Sequence, residues 1–364
     1  MGCTKAVIAI CRWDDAMTAL KDDPRIDPRL RAMFGEWESP SAAFHARTRE
    51  ELLAFEKSAE GEAQATGMAS FFESLDCEAT APSTGLSVDV EEFISSPDGN
   101  RIKVRITRPQ SNVPLPCVCY LHGGGMQALS CFDGLYRAWA RLIAAHGVAV
   151  AMIDFRNALR PSSAPEVLPY PAGLNDCVSG VAWLHAEAAR LHLDPTRFIV
   201  AGDSGGGNLA LATGMKLRQN GANGLIKGIY AMCPFIAGRW PDPRYPSSIE
   251  FDGMMLHSSG LNNGVVAYGL EAFEARDPMA WPGLATADDL IGLPPVVVSV
   301  NECDPLRDEG IHFYRLLLAA GVRARCRLTM GTTHGAEIFV TACPDISQST
   351  ARDLAGFALE APAR

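Results

Sequence analysis

The stretch RFIVAGDSGGGNLALATGMKL, residues 197–217, decides how this chain is read. An apolar run, Phe198 to Ala201, meets Gly202-Asp203-Ser204-Gly205-Gly206, and a helix-forming segment follows. Strand, sharp glycine turn and helix, in that order, are the context in which G-x-S-x-G raises a serine above a sheet. The glycines two positions before and after Ser204 are needed because a Cβ there would collide with neighbouring backbone. The turn lifts Oγ to the start of a helix, where free N–H groups point outward. A loop that merely joined two elements would explain the glycines but not what flanks them.

A serine hydroxyl is a weak nucleophile until a base takes its proton. In folds with this turn, an acid and then a histidine follow the serine along the chain. Of the eight histidines, only His312 and His334 come after the candidate acids. His312 lies in DEGIHFYRLLLAAG (308–321), whose apolar periodicity makes it a structural helix position. His334 lies in GTTHGAE (331–337), a loop after the last strand, and is the expected base. Glu302, Asp304 and Asp308 all follow the apolar run PPVVVSVN. Asp304 precedes Pro305, which favours an extended or turn conformation. Asp308 and Glu309 fall in a first helical turn, where acids are common for dipole reasons alone. Asp304 is the favoured acid, with Asp308 as the alternative.

A second glycine cluster, LHGGGMQALS (121–130), also follows an apolar run. Three consecutive glycines cost conformational entropy on folding, so the backbone itself must be needed there. With Ser204 as nucleophile, the N–H groups of Gly124 and Gly125, joined by that of Gly205, form an oxyanion hole. His122 anchors the loop and is not read as a base. The rival reading is a dinucleotide-binding turn, Gly123-x-Gly125-x-x-Ala128, with Asp154 as the ribose-binding acid. So short a pattern matches often by chance, and it leaves the second glycine turn unexplained.

Apolar runs alternate with helical stretches between residues 116 and 330 (PCVCYLH, VAVAMIDF, RFIVAGDS, IKGIYAMCPF, PPVVVSVNECD and VRARCRLTM). Continuous apolar strands between helices predict an α/β fold, a mostly parallel central sheet flanked by helices. LSVDVEEFISSPDGNRIKVRITRP (86–109) predicts a hairpin around Pro-Asp-Gly-Asn. Residues 1–85 read as N-terminal cap helices and a linker, with one helix opening at Ser39 and Pro40. Residues 86–235 and 291–364 read as the two parts of the core. The segment 236–290, rich in Pro, Met and aromatics, reads as a cap insertion.

At 364 residues and a net charge of −10, the chain lacks the basic surface a nucleic-acid partner needs. No apolar run approaches the ~20 residues of a membrane span, and MGCTKA lacks the Ser or Thr required at its sixth position for myristoylation. Eleven cysteines without a leader segment imply buried reduced thiols and a cytoplasmic location. No CxxC pair or Cys/His spacing suggests zinc, and a serine nucleophile with its own acid and base calls for neither metal nor organic cofactor.

HGGG, GDSGGGN, DPLRDEG and HG, in this order, resemble the hormone-sensitive-lipase family of α/β-hydrolases. The likeness runs from about residue 100 to the C-terminus, and the helices around DPRIDPRLRAMF resemble that family's cap. It implies the α/β-hydrolase fold, Ser204 as nucleophile, Asp304 as acid, His334 as base, and Gly124, Gly125 and Gly205 as oxyanion donors. Most members carry Ala where this chain has Gly205, although the chemistry needs only the N–H. The implied activity is carboxylester hydrolysis of a small-molecule substrate, and a cleft roofed by the N-terminal helices and the 236–290 insertion predicts short-chain esters. A ligand-binding protein on the same scaffold is the alternative; relatives of that kind have lost the histidine. Met126, Trp240, Phe251, Met254, Met255 and His257 are candidates for the substrate pocket. A homo-oligomer stays open.

Overall fold

The computed structural model describes residues 19–36 and 44–360. The apolar runs form one eight-stranded sheet in the order β1-β2-β4-β3-β5-β6-β7-β8. The strands are β1 (Leu86–Ile94), β2 (Arg101–Pro109), β3 (Leu115–Leu121), β4 (Ala149–Ile153), β5 (Leu193–Asp203), β6 (Gly228–Met232), β7 (Val296–Asn301) and β8 (Ala324–Thr329). The β1–β2 hairpin pairs Leu86 with Pro109 and Ile94 with Arg101, so the Pro-Asp-Gly-Asn segment lies in its turn. β2 also runs antiparallel to β4, and the remaining pairs are parallel. β3, β4, β6 and β7 are buried along their whole length. Cover on both faces is what makes such strands read as continuous rather than alternating apolar runs.

Helices α1 (Pro28–Phe34), α2 (Arg49–Glu56) and α3 (Ala59–Ser74) precede the sheet. α4 (Gly134–Ala144), α5 (Ala172–Ala186) and α6 (Gly205–Gln219) connect its strands. α7 (Ser247–Glu250), α8 (Ser258–Tyr268), α9 (Leu270–Glu274) and α10 (Ala287–Leu290) lie between β6 and β7. α11 (Arg307–Ala319) and α12 (Pro344–Leu359) follow β7 and β8. One apolar core joins the sheet to α5, α6 and α11 through Leu174, Leu209 and Phe313. The other joins it to α4, α12 and α1 through Trp139, Leu354 and Phe34.

The helix start expected at Ser39 and Pro40 lies outside the described residues. Phe44–Arg47 are not helical, and α2 begins only after Thr48, whose side chain accepts the N–H of Glu51. The local reason is Asn263 of α8. It accepts the N–H of Ala46 at 3.0 Å and donates to the carbonyl of Phe44 at 2.8 Å, holding the segment extended. α1 is docked beside the loop that follows β8, where the Asp27 N–H donates to the Gly331 carbonyl at 2.8 Å. The nine cysteines among the described residues are free thiols. No helix among them is long and apolar enough to cross a membrane.

Candidate active site

Ser204 stands between the end of β5 and the start of α6, with φ 53° and ψ −116°. That backbone region is strained for any residue but glycine and persists only where the surroundings enforce it. Here β6 and the loop after it do so. The Ser204 N–H donates to the Met232 carbonyl at 2.9 Å, and its carbonyl accepts the Phe235 N–H at 3.1 Å. The flanking glycines are required by contact. A Cβ on Gly202 would lie 2.3 Å from the Gly206 carbonyl oxygen, and one on Gly206 would lie 2.0 Å from that of Leu121.

His334 reaches this turn from the loop after β8. Its Nε2 lies 2.9 Å from Ser204 Oγ, and its Nδ1 lies 2.8 Å from Asp304 Oδ2. Asp304 is buried just beyond β7, and its other oxygen accepts the Leu306 N–H at 2.9 Å, which fixes the carboxylate plane. Burial pulls the imidazole of His334 down, but the Asp304 carboxylate and the Cys233 sulfur beside it together outweigh burial and hold the ring well above its usual range. The competing residues face elsewhere. Glu302 accepts the Gly331 N–H at 2.7 Å, and Asp308 is engaged with Ser247 and Arg307. His312 is exposed on α11 with its ring edge-on to Tyr245, 5.7 Å away.

Cys233, which the motifs do not single out, lies beside this pair. Its Sγ, a ring nitrogen of His334 and a carboxylate oxygen of Asp304 fall within 4.8 Å of one another. Burial pushes its thiol up to about 11, so it is a neutral neighbour of the imidazole at ordinary pH.

The triple-glycine loop after β3 comes to the same point. Gly124 and Gly125 adopt φ 84° and 61°, the left-handed region. A Cβ built on Gly205 would sit 2.8 Å from the Gly125 nitrogen and 2.6 Å from that of Met126. Loop and helix start therefore touch backbone to backbone. His122 lies under the loop, with Nδ1 3.0 Å from the Gly123 carbonyl oxygen and its ring stacked on Phe155 at 4.1 Å. Asp154, the ribose-binding acid of the dinucleotide reading, is fully buried and already occupied. It accepts from Ser130 Oγ, the Cys131 N–H and the Ser163 N–H at 2.6–2.8 Å, and this burial keeps it from the surface a ribose would occupy.

A cavity of about 360 Å³ opens over Ser204, His334, Gly124 and Gly125. The core contributes Leu129, Tyr136, Phe235 and Ile338 to its walls, and two separate stretches outside the core complete them. α1 and α3 supply Phe34, Met68, Phe71 and Phe72, and the segment between β6 and β7 supplies Met255, Leu256 and His257. Of the six pocket candidates, Met255 and His257 line this space, while Met126, Trp240, Phe251 and Met254 do not. Trp240 is stacked on the far side of Phe235 and donates its indole N–H to buried Glu309 at 2.7 Å. Phe251 is covered by the guanidinium groups of Arg25 and Arg307, 4.8 and 5.2 Å from its ring centre. Met126 and Met254 are core residues, 1% and 5% exposed.

A family described as alpha/beta hydrolase fold matches residues 118–338. Carboxylesterase NlhH of Mycobacterium tuberculosis is 33% identical over 245 residues, covering 66% of this chain and 72% of the relative. The solved structure of esterase Est22 with p-nitrophenol is 55% identical, covers 93% of this chain and 99% of its own, and superposes with a TM-score of 0.91. Brefeldin A esterase, described as a bacterial homologue of human hormone-sensitive lipase, is 36% identical over 94% of this chain and 96% of its own, with a TM-score of 0.85.

Proposed function

From the premise that this chain belongs to the α/β-hydrolase family, in its hormone-sensitive-lipase branch, and hydrolyses carboxylic esters, we propose that Ser204, His334 and Asp304 carry the chemistry on short-chain substrates. The observation behind this reading is the unbroken pair of hydrogen bonds, 2.9 and 2.8 Å, from Ser204 through His334 to Asp304 beneath a cavity. His334 takes the Ser204 proton as Oγ attacks the ester carbonyl. Asp304 holds the tautomer with Nδ1 protonated and stabilises the imidazolium that forms. The N–H groups of Gly124, Gly125 and Gly205 receive the developing oxyanion. His334 then protonates the departing alcohol, leaving an acyl group on Ser204. Water, deprotonated by the same imidazole, releases the acid. No metal or organic cofactor enters these steps. The alternative of a silent ligand-binding protein is disfavoured because acid, base and nucleophile are all present and hydrogen-bonded.

The cavity argues for substrate size. Each methylene buried in it contributes about 0.8 kcal/mol until the space is full. Beyond that point the acyl chain must push apart a roof contributed by α1, α3 and the β6–β7 segment, and overpacking costs about 1–3 kcal/mol. Est22 has been seen with p-nitrophenol, the alcohol half of a p-nitrophenyl ester, which makes that ester series a suitable probe. Measured from acetate to palmitate, kcat/KM rises over the first members, peaks near butyrate or hexanoate, and falls for longer chains. A value still climbing at laurate, or a jump when substrate forms droplets, contradicts the closed-pocket reading.

A further inference from the structure

The contact between the triple-glycine loop and the nucleophile turn holds a buried group that the steps above do not use. Asp203 immediately precedes Ser204, is 2% exposed, and receives two phenols. Tyr120 of β3 donates to Oδ1 at 2.8 Å, and Tyr136 of α4 donates to Oδ2 at 3.1 Å. The Tyr136 oxygen also accepts the N–H of Gly123 at 2.6 Å.

We infer that Tyr136, seated on Asp203, is a positioning residue that sets the distance between the oxyanion loop and Ser204, and so tunes transition-state stabilisation in the ester hydrolysis proposed above. The polarity of the relay has one solution. A backbone N–H can only donate, so the Tyr136 oxygen accepts from Gly123, and its single hydrogen is left for the Asp203 carboxylate. That carboxylate, when ionised, can only accept. Asp203 is joined covalently to Ser204, and Gly123 is joined covalently to Gly124. The relay therefore ties two oxyanion donors on one strand tip to the nucleophile and the third donor on another. The contact is also close-packed. A Cβ on Gly123 would lie 2.4 Å from Asp203 Oδ2 and 2.9 Å from the Tyr136 oxygen, so the loop cannot settle further inward. Oxyanion donors act at 2.7–3.1 Å from the charge, where small displacements are felt.

Tyr120 supplies the control. Its hydroxyl donates to the other oxygen of the same carboxylate, whereas that of Tyr136 is the one that accepts the Gly123 N–H. Tyr136→Phe and Tyr120→Phe would be compared for kcat and KM on p-nitrophenyl butyrate, and for inhibition by an alkyl trifluoromethyl ketone, whose adduct with the serine places an oxyanion in the hole. Tyr136→Phe lowers kcat about 10- to 100-fold, part of the 10²–10³ lost with an oxyanion donor itself. KM stays within about threefold and the ketone weakens by the same factor as kcat. Tyr120→Phe leaves both near wild type. The inference is overturned if Tyr136→Phe keeps wild-type kcat, if both variants lose activity equally, or if kcat falls while ketone affinity does not. Should Tyr136→Phe fail to fold, Asp203→Asn is read in the same assays, and unchanged kcat and ketone affinity there overturn the inference equally. This outcome is separable from the triad reading: if the relay is wrong, Ser204→Ala still abolishes activity, whereas an active Ser204→Ala removes the premise itself.

Discussion

Asp308 and Ser247 exchange two hydrogen bonds: the Ser247 N–H donates to Asp308 Oδ2 at 2.8 Å, and the Asp308 N–H donates to Ser247 Oγ at 3.0 Å. This closed pair fastens α7 to the first turn of α11 and turns the Asp308 carboxylate away from His334. Asp304→Asn therefore costs on the order of 10⁴ in kcat, because the amide favours the wrong tautomer of the imidazole. Asp308→Asn costs far less in kcat and is felt first as a lower melting temperature. Steady-state kinetics on the two variants check the ranking, and a reversed order moves the acid to Asp308.

Ser204→Ala and His334→Ala each lose roughly 10⁶ in kcat while remaining folded, since nucleophile and base act as one unit. His312→Ala, on the exposed face of α11, stays near wild type. Circular dichroism melts alongside the kinetics separate loss of chemistry from loss of fold.

The pH profile carries the sign of the His334 shift. Asp304 holds the imidazole above the 6.5 of a free histidine, and only the neutral ring can accept the Ser204 proton. In wild type, kcat/KM rises with pH through a limb above 6.5. With Asp304→Asn the larger of the two raising influences is gone while burial and the Cys233 contact remain, so the residual activity shows its limb at lower pH. A limb unmoved by this substitution shows that another group governs the titration.

Gly205→Ala tests the close approach of helix and loop. The added methyl would meet the Gly125 and Met126 backbone at 2.6–2.8 Å. The glycine loop must shift to admit the methyl while the N–H of residue 205 is kept, so kcat/KM falls by less than the 10²–10³ that an oxyanion donor lost outright is worth. Unchanged kinetics would mean that the loop yields freely at this point.

How much of this was legible depends on whether a feature is local in sequence. The nucleophile turn and the glycine loop are local: each is a run of a few residues whose backbone conformation demands glycine, as the φ values of Gly124 and Gly125 show. His334 and Asp304 are distant from Ser204, yet strand order fixes which loops meet, and Pro305 marks the turn. The pocket is different. Phe34, Met68 and Phe71 reach it because α1 and α3 dock from the N-terminal end, and no periodicity in those helices marks the face that turns inward. Trp240 and Phe251 have the composition of a pocket wall, but Glu309 and two arginines claim them. Tyr136 and Cys233 carry no motif and become visible only when their neighbours are in place.

The central claim is that Ser204 is an activated nucleophile. It is tested most directly by reacting the protein with a fluorophosphonate and locating the adduct by peptide mass spectrometry. The account predicts one adduct, on Ser204, that is absent in Ser204→Ala and forms far more slowly in His334→Ala. An adduct on another residue, or labelling of Ser204→Ala at the wild-type rate, would contradict it.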